Sequence, residues 1–248
     1  ERGSQLFEEI CELEEYYPTR PELGIMEAHG PQMAKAIGPE ASVIEYGSGS
    51  SRKTRVLLDV LESPAVYVPI DISRETLLES AEAISKQYPE IEVCPVSADY
   101  LSPVALPEGL REGERRVVYF PGSTIGNFVP DDARAFLSRM VEQAGPRGGV
   151  LIGVDLKKDV ETLERAYDDE AGVTASFNRN LLARINRELG ADFAVESFVH
   201  EARWNPEEGR VEMHLVASEA CEVEIGEERI HFGAGESIHT ESSYKYEI

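Results

Sequence analysis

From Ser42 onward the chain alternates short apolar, β-rich runs with stretches whose apolar residues recur at helical spacing. Read as elements, this predicts strands over 42–46, 66–70, 91–97, 117–120 and 149–155, with helices over 52–61, 74–87 and 131–144. Two helices precede them, a short acidic one over 5–15 and another over 21–37. Tyr16 to Arg20 separates these two, because Pro18 disfavours helical backbone in the residue before it. Strands alternating with helices imply βαβ units and a parallel sheet, an α/β fold. After Asp155 the pattern changes. Residues 159–168 and 171–189 read as helices, the latter with Val173, Phe177, Leu181, Leu182, Ile185 and Leu189 on one face. β-like runs follow near 193–204, 210–218, 220–225, 229–233 and 236–241, punctuated by Gly209, Gly226, Gly233 and Gly235. This half reads as α+β with an antiparallel meander, and a boundary falls near residue 156.

Composition narrows the class. The 248 residues are 42% hydrophobic, enough for one large globular domain or two modest ones. No apolar run approaches the roughly 20 residues of a membrane span, and the first residues do not read as a signal peptide. The net charge of −23 comes from 47 acidic and 24 basic residues. Such a surface repels phosphate backbones, so nucleic acid is excluded as the expected partner. Cys11, Cys94 and Cys221 are far apart and odd in number, as in reduced thiols of a cytoplasmic protein. His29, His200, His214, His231 and His239 form no HxxxH or HExxH pattern, so no metal is expected. Size and acidity fit a monomer.

Candidate chemistry gathers at the strand ends. The run 117–128 is an apolar strand that opens into Pro121-Gly122-Ser123-Thr124-Ile125-Gly126-Asn127 before the next helix. Open α/β sheets bind ligands outside the carboxyl ends of their strands. Asn127 both donates and accepts, so it can hold an amine and a carboxylate together; the plain alternative is an ordinary strand-to-helix turn. The first strand ends in Gly47-Ser48-Gly49, which lets a ligand approach the backbone, but the third glycine of a dinucleotide fingerprint is missing. Asp71, 22 residues past Gly49, ends the second strand, where an acid can accept from ribose hydroxyls. Asp99 ends the third. Each acid alone reads equally as a cap or turn residue. Together at successive strand ends they indicate a nucleoside site, and Asp99 favours S-adenosylmethionine over a nicotinamide dinucleotide.

These residues bring the chain to a known family. It resembles the histidine-specific Nα-methyltransferases of ergothioneine biosynthesis. The resemblance runs through Gly3-Ser4-Gln5-Leu6-Phe7-Glu8, Glu15-Tyr16-Tyr17-Pro18-Thr19-Arg20 and Glu45 to Arg55. It continues through Gly122 to Asn127, Tyr167-Asp168-Asp169 through Asn180, Glu212-Met213, and Thr240-Glu241-Ser242-Ser243. It implies a Rossmann-like class I methyltransferase sheet over 22–156 that binds S-adenosylmethionine, the methyl donor. A smaller α+β domain, 1–21 with 157–248, would then bind histidine. Tyr16, Gly47, Lys53, Asp71, Asp99, Tyr100 and Gly122 would line the cofactor site. Asn127 and Tyr167 would hold the amino and carboxylate groups of the substrate and so serve catalysis. Met213, Glu241 and Ser243 would contact the imidazole. Read without the family, Met213 is core filler, Glu241 a solvent-facing strand residue, Ser243 a loop residue and Tyr167 part of an amphipathic helix. Lys53, near a helix N-terminus, is unfavourable to the helix dipole and so calls for another partner, such as the methionine carboxylate.

The resemblance also implies elements outside residues 1–248. A Tyr upstream of the Gly-Ser-x-Leu-Phe segment would join the substrate pocket, and a final helix and strand would complete the methyltransferase sheet. The expected reaction is trimethylation of the histidine α-amino group to hercynine. The alternatives are a methyltransferase domain acting on 5-thiohistidine in ovothiol synthesis, a trimmed non-catalytic cofactor-binding fragment, and a nicotinamide oxidoreductase.

Overall fold

The computed structural model describes residues 2–49, 51–107, 110 and 115–247; Ser50 of the glycine loop therefore lies outside the described residues. The chain divides into two compact units. One is continuous, Arg20–Val154; the other joins both ends of the chain, Glu1–Thr19 with Asp155–Ile248. The sequence boundary near 156 falls two residues from this division. No described helix is long and apolar enough to cross a membrane.

Helix α1 (Arg2–Glu12) buries Leu6 and Ile10. It stops short of the predicted 15 because Glu8, Glu9, Glu12, Glu14 and Glu15 crowd its C-terminal end, where the helix dipole disfavours anions and no basic residue compensates. Helix α2 (Thr19–Ile37) leads into the continuous unit. There follow β1 (Ser42–Tyr46), α3 (Arg52–Leu58), β2 (Val66–Asp71), α4 (Arg74–Gln87), β3 (Glu92–Val93), β4 (Val96–Ser97), β5 (Arg116–Phe120), a 3-10 turn (Thr124–Asn127), α5 (Pro130–Ala144) and β6 (Gly149–Ile152). The strand predicted over 91–97 arrives as two short pieces, since Pro95 has no N–H to give the ladder.

All pairings in this sheet are parallel. Its order is β3-β2-β1-β5-β6, with β4 also on β2. Every residue of β1 is buried, as expected for a strand covered on both faces. Strand order reverses between β1 and β5. That reversal is the topological switch point, and it sets the loops after Tyr46 and Phe120 side by side at the carboxyl edge.

The second unit carries α6 (Val160–Arg165), α7 (Val173–Leu189), a 3-10 turn (Val195–Ser197), β7 (Phe198–Asn205), β8 (Arg210–Ala217), β9 (Cys221–Ile225), β10 (Glu228–Phe232) and β11 (Ser237–Tyr244). Strands β11-β8-β7 form an antiparallel sheet, and β9 with β10 a separate hairpin. Two aspartates set the helix starts. Asp159 accepts the Thr162 N–H at 3.0 Å, and Asp169 accepts those of Val173 and Thr174 at 2.9 and 2.7 Å. One core packs Leu182, Phe193, Phe198 and Leu215. A second packs Leu163, Ala166, Tyr167, Val211 and Met213, with Tyr16, Tyr17 and Phe177 against it.

Candidate active site

In the continuous unit the glycine loop is shaped by backbone that other residues resist. Gly47 and Gly49 have φ of +69° and +44°. Asp71 is tied to this loop: one carboxylate oxygen accepts the Gly49 N–H at 3.4 Å, the other that of Ser73 at 2.8 Å. A side chain at Gly47 would meet the Tyr100 ring at 3.6 Å, whereas one at Gly49 would meet nothing within 4 Å among the described residues. The backbone of Gly49 is thus open to a ligand while Gly47 backs onto Tyr100. Tyr100 in turn packs edge-on to Tyr46 and Phe120, with centroids 5.8 Å away in each case. Asp99 accepts the Leu101 N–H at 2.9 Å and is otherwise exposed. The hydroxyls of Ser48 and Ser51 are buried without a hydrogen-bond partner among the described residues.

At the neighbouring strand end, Gly122 has φ +84° and donates its N–H to both Glu22 oxygens, at 2.9 and 3.0 Å. Lys53 Nζ lies 2.5 Å from the same carboxylate. Glu22 therefore supplies the partner that the position of Lys53 called for. Gly153 makes room for it, since a Cβ there would sit 2.3 Å from Glu22 Oε1. Asn127 closes the 3-10 turn on an exposed position.

Beneath the glycine loop sits Glu45, 1% exposed. Its carboxylate accepts the Thr54 hydroxyl at 2.7 Å and the Tyr67 hydroxyl at 2.5 Å, joining β1 to α3 and β2. Burial pushes its pKa up to about 7, against the opposing pull of those hydroxyls and of Lys53.

The other unit gathers a second group. Glu241 pairs across the ladder with Met213, and Ser243 with Val211, so Glu241 and Ser243 lie on one face of β11. Tyr167 lies just beyond α6, and its hydroxyl is 2.8 Å from Ser243 Oγ. The Lys245 ammonium donates to both, at 2.8 and 2.9 Å, and pairs with Asp155 at 3.0 Å. Asp155 also accepts from Tyr17 at 2.5 Å and from Lys158 at 2.5 Å. Burial alone would raise the Asp155 pKa, but these cations and hydroxyls hold it below the usual carboxylate range. Tyr16 packs edge-on to Tyr167 with centroids 6.0 Å apart. Burial raises its phenol pKa well above the ordinary value, with Tyr167 and Glu241 among the charges that add to the effect. The Tyr167 backbone is fixed as well. His200 Nε2 donates to its carbonyl at 2.7 Å, which leaves Nδ1 to accept from Asn178 at 2.9 Å.

The model of the histidine-specific, S-adenosylmethionine-dependent methyltransferases matches residues 1–248. The chain belongs to this family. It is 42% identical over 249 residues to the histidine N-alpha-methyltransferase of Mycolicibacterium smegmatis, covering 98% of this chain and 76% of that protein. The counterpart from Mycobacterium tuberculosis is 43% identical over 249 residues, with the same coverage. Ergothioneine biosynthesis protein 1 of Neurospora crassa is 36% identical over 202 residues, covering 79% of this chain and 23% of that larger protein.

This histidine-specific methyltransferase has strand ends suited to the family's methyl donor. An open glycine backbone, two carboxylate acceptors and an aromatic wall match a nucleoside with a polar tail. Among the described residues no cluster of three or more His, Cys, Asp or Glu is arranged to hold a metal. Gly47, Lys53, Asp71, Asp99, Tyr100, Gly122 and Asn127 fall in the continuous unit; Tyr16, Tyr167, Met213, Glu241 and Ser243 fall in the other. Tyr16, expected at the cofactor, packs on Tyr167. Sequence reasoning gave no role to Glu22, Glu45 or Lys245. Glu22 lies two residues past the Glu15–Arg20 motif. Lys245 was within reach, because a period of two from Glu241 through Ser243 leads to it.

Proposed function

We propose that this protein transfers methyl groups from S-adenosylmethionine to the α-amino group of L-histidine, three times in succession, giving hercynine as the first step of ergothioneine biosynthesis. The family match over the whole chain carries this reading. Tyr16, Gly47, Lys53, Asp71, Asp99, Tyr100 and Gly122 would line the cofactor site. The unit built from both chain ends would read the histidine ring through Met213, Glu241 and Ser243. Asn127 and Tyr167 would grip its amino and carboxylate groups.

The bound donor supplies a sulfonium methyl; the protein supplies orientation. Asp71 is held by two backbone N–H groups, so its remaining acceptor capacity has a fixed direction for the ribose diol. Lys53 is anchored by Glu22 within reach of the Gly122 loop, and offers its other donors to a carboxylate. The α-amino group must be neutral to react. Burial, then the hydrogen bond and charge of Asp155, hold Tyr17 as a phenol, and burial does the same for Tyr16. Neither phenol is poised to take the amino proton. A site that hydrogen-bonds both ring nitrogens discriminates strongly against side chains that lack them.

Incubation of the protein with L-histidine and S-adenosylmethionine, followed by mass spectrometry, tests the proposal. Gains of one, two and then three methyl groups are expected. Absence of any gain while the cofactor binds would overturn it.

A further inference from the structure

Lys245 is a cation with no exposure to solvent; its side chain is 0% accessible. An ammonium has three donors and no acceptor. All three are spent inside the unit, on Tyr167 Oη, Ser243 Oγ and Asp155 Oδ2. The nitrogen also stands 4.7 Å from the centroid of the Tyr167 ring. A buried, fully used ammonium beside the ring-reading residue is more than a strand-end ion pair. It fixes what the two hydroxyls can offer a ligand.

Two hydroxyls carry two protons. One closes the 2.8 Å bond between Tyr167 and Ser243. The other has no acceptor within the cluster. Both oxygens already accept from Lys245. When Tyr167 donates to Ser243, both lone pairs of Ser243 are filled, and its own proton must go outward. Ser243 then acts only as a donor. The reverse arrangement leaves Ser243 one lone pair, but a cation drawn to it would share that oxygen with the ammonium. Like charges at such range inside a protein repel strongly.

We propose that Lys245 makes Ser243 a hydrogen-bond donor to the substrate, so that the site takes histidine with a neutral imidazole ring and rejects the imidazolium. This rests on the reading of Ser243 and Glu241 as the ring contacts. A neutral imidazole has one N–H and one bare nitrogen. Ser243 serves the bare nitrogen, and the Glu241 carboxylate serves the N–H. Of the carboxylates near the cluster, Glu241 on the ring-reading face would favour the imidazolium, whereas Asp155 is engaged by Lys245, Lys158 and Tyr17. The other titratable groups around the cluster include Cys11, Tyr16 and Tyr17 on the N-terminal segment, Asp155 and Lys158 after β6, Asp168 and Asp169 before α7, His200 at the Tyr167 carbonyl, and Arg210 with Glu212 on β8. Asp155 balances the charge of Lys245 without touching either proton of the hydroxyl pair. Lys245 is therefore a positioning residue that acts through Ser243 and Tyr167.

Calorimetric titration of the full chain with L-histidine, from pH 7.5 to pH 5.5 in buffers of different ionisation enthalpy, tests the inference without any variant. Below the ring pKa of about 6.5, affinity is expected to fall about tenfold per pH unit, and proton release on binding to rise by about one over this range. An affinity that is flat or rises toward pH 5.5, with no added proton release, overturns it. Absence of binding even at pH 7.5 would instead sink the assignment of histidine as substrate. Lys245→Met is expected to flatten the acid limb of the KM profile, whereas Lys245→Arg, which keeps the donors, preserves it. A correctly folded Lys245→Met with an unchanged acid limb also overturns the proposal.

Discussion

Glu22 and Lys53 meet at 2.5 Å, and the same Glu22 carboxylate caps the backbone N–H of Gly122 with both of its oxygens. A residue outside every recognised motif, Glu22, thus ties Lys53 to the Gly122 loop at the sheet's switch point. Glu22→Ala strips the Gly122 N–H of its acceptor and Lys53 of its counter-charge. The expected loss is about 1–3 kcal/mol in urea unfolding, together with weaker cofactor binding by calorimetry. Full affinity in this variant would show that the pair has no part in the site.

Gly153 leads to the same place from the other side. A Cβ at this position collides with Glu22 Oε1 at 2.3 Å and approaches the Gly122 nitrogen at 3.1 Å. Gly153→Ala should cost about 1–3 kcal/mol through overpacking. Combined with Glu22→Ala, it should cost less than the sum of the two, because the second change removes the atom that the first one strikes. Strict additivity would place the strain elsewhere.

Glu45 makes stability depend on pH in an uncommon direction. Its pKa rises from 4.5 unfolded to about 7 folded. The folded chain therefore holds this proton more tightly than the unfolded chain. The contribution is complete below pH 4.5, declines as pH rises toward 7 and is gone above that. The full swing is about 3 kcal/mol. In Glu45→Gln the swing is absent. The difference in unfolding free energy between the parent and this variant should favour the parent more at pH 5 than at pH 8. Equal differences at both values would show that Glu45 titrates normally.

Asn127 is exposed at the end of its 3-10 turn, and on the proposed reading it contacts the substrate. Asn127→Ala should raise the KM for histidine about tenfold or more, the usual cost of losing hydrogen bonds to charged groups. An unchanged KM would remove Asn127 from the amino-acid contacts.

Much of the fold was legible because the parallel strands carry their signal locally. Ser42–Tyr46 and Val66–Asp71 are apolar runs that must be buried on both faces, and the glycines and acids at their ends mark the carboxyl edge of the sheet. The family's relationship was legible in the loop from Gly122 to Asn127. Residues whose role depends on partners distant in sequence were not legible. Glu22 meets Gly122 across 100 positions, and Tyr167 meets Lys245 across 78. Nothing local to Glu22 distinguishes it from the other acids of a chain with 47 of them. Tyr16 shows a related limit: its motif marks it as functional, but only packing decides that it stands beside Tyr167.

The division of the chain also sets the order in which it can mature. Residues 20–154 are contiguous, so that unit can fold as soon as they leave the ribosome, in the N-to-C order usual for domains. The other unit cannot. Tyr17 finds Asp155 only 138 residues later, and Tyr167 waits for Lys245 a further 78 residues along. During translation the chain passes through a stage in which its continuous unit is finished and its discontinuous unit is still open.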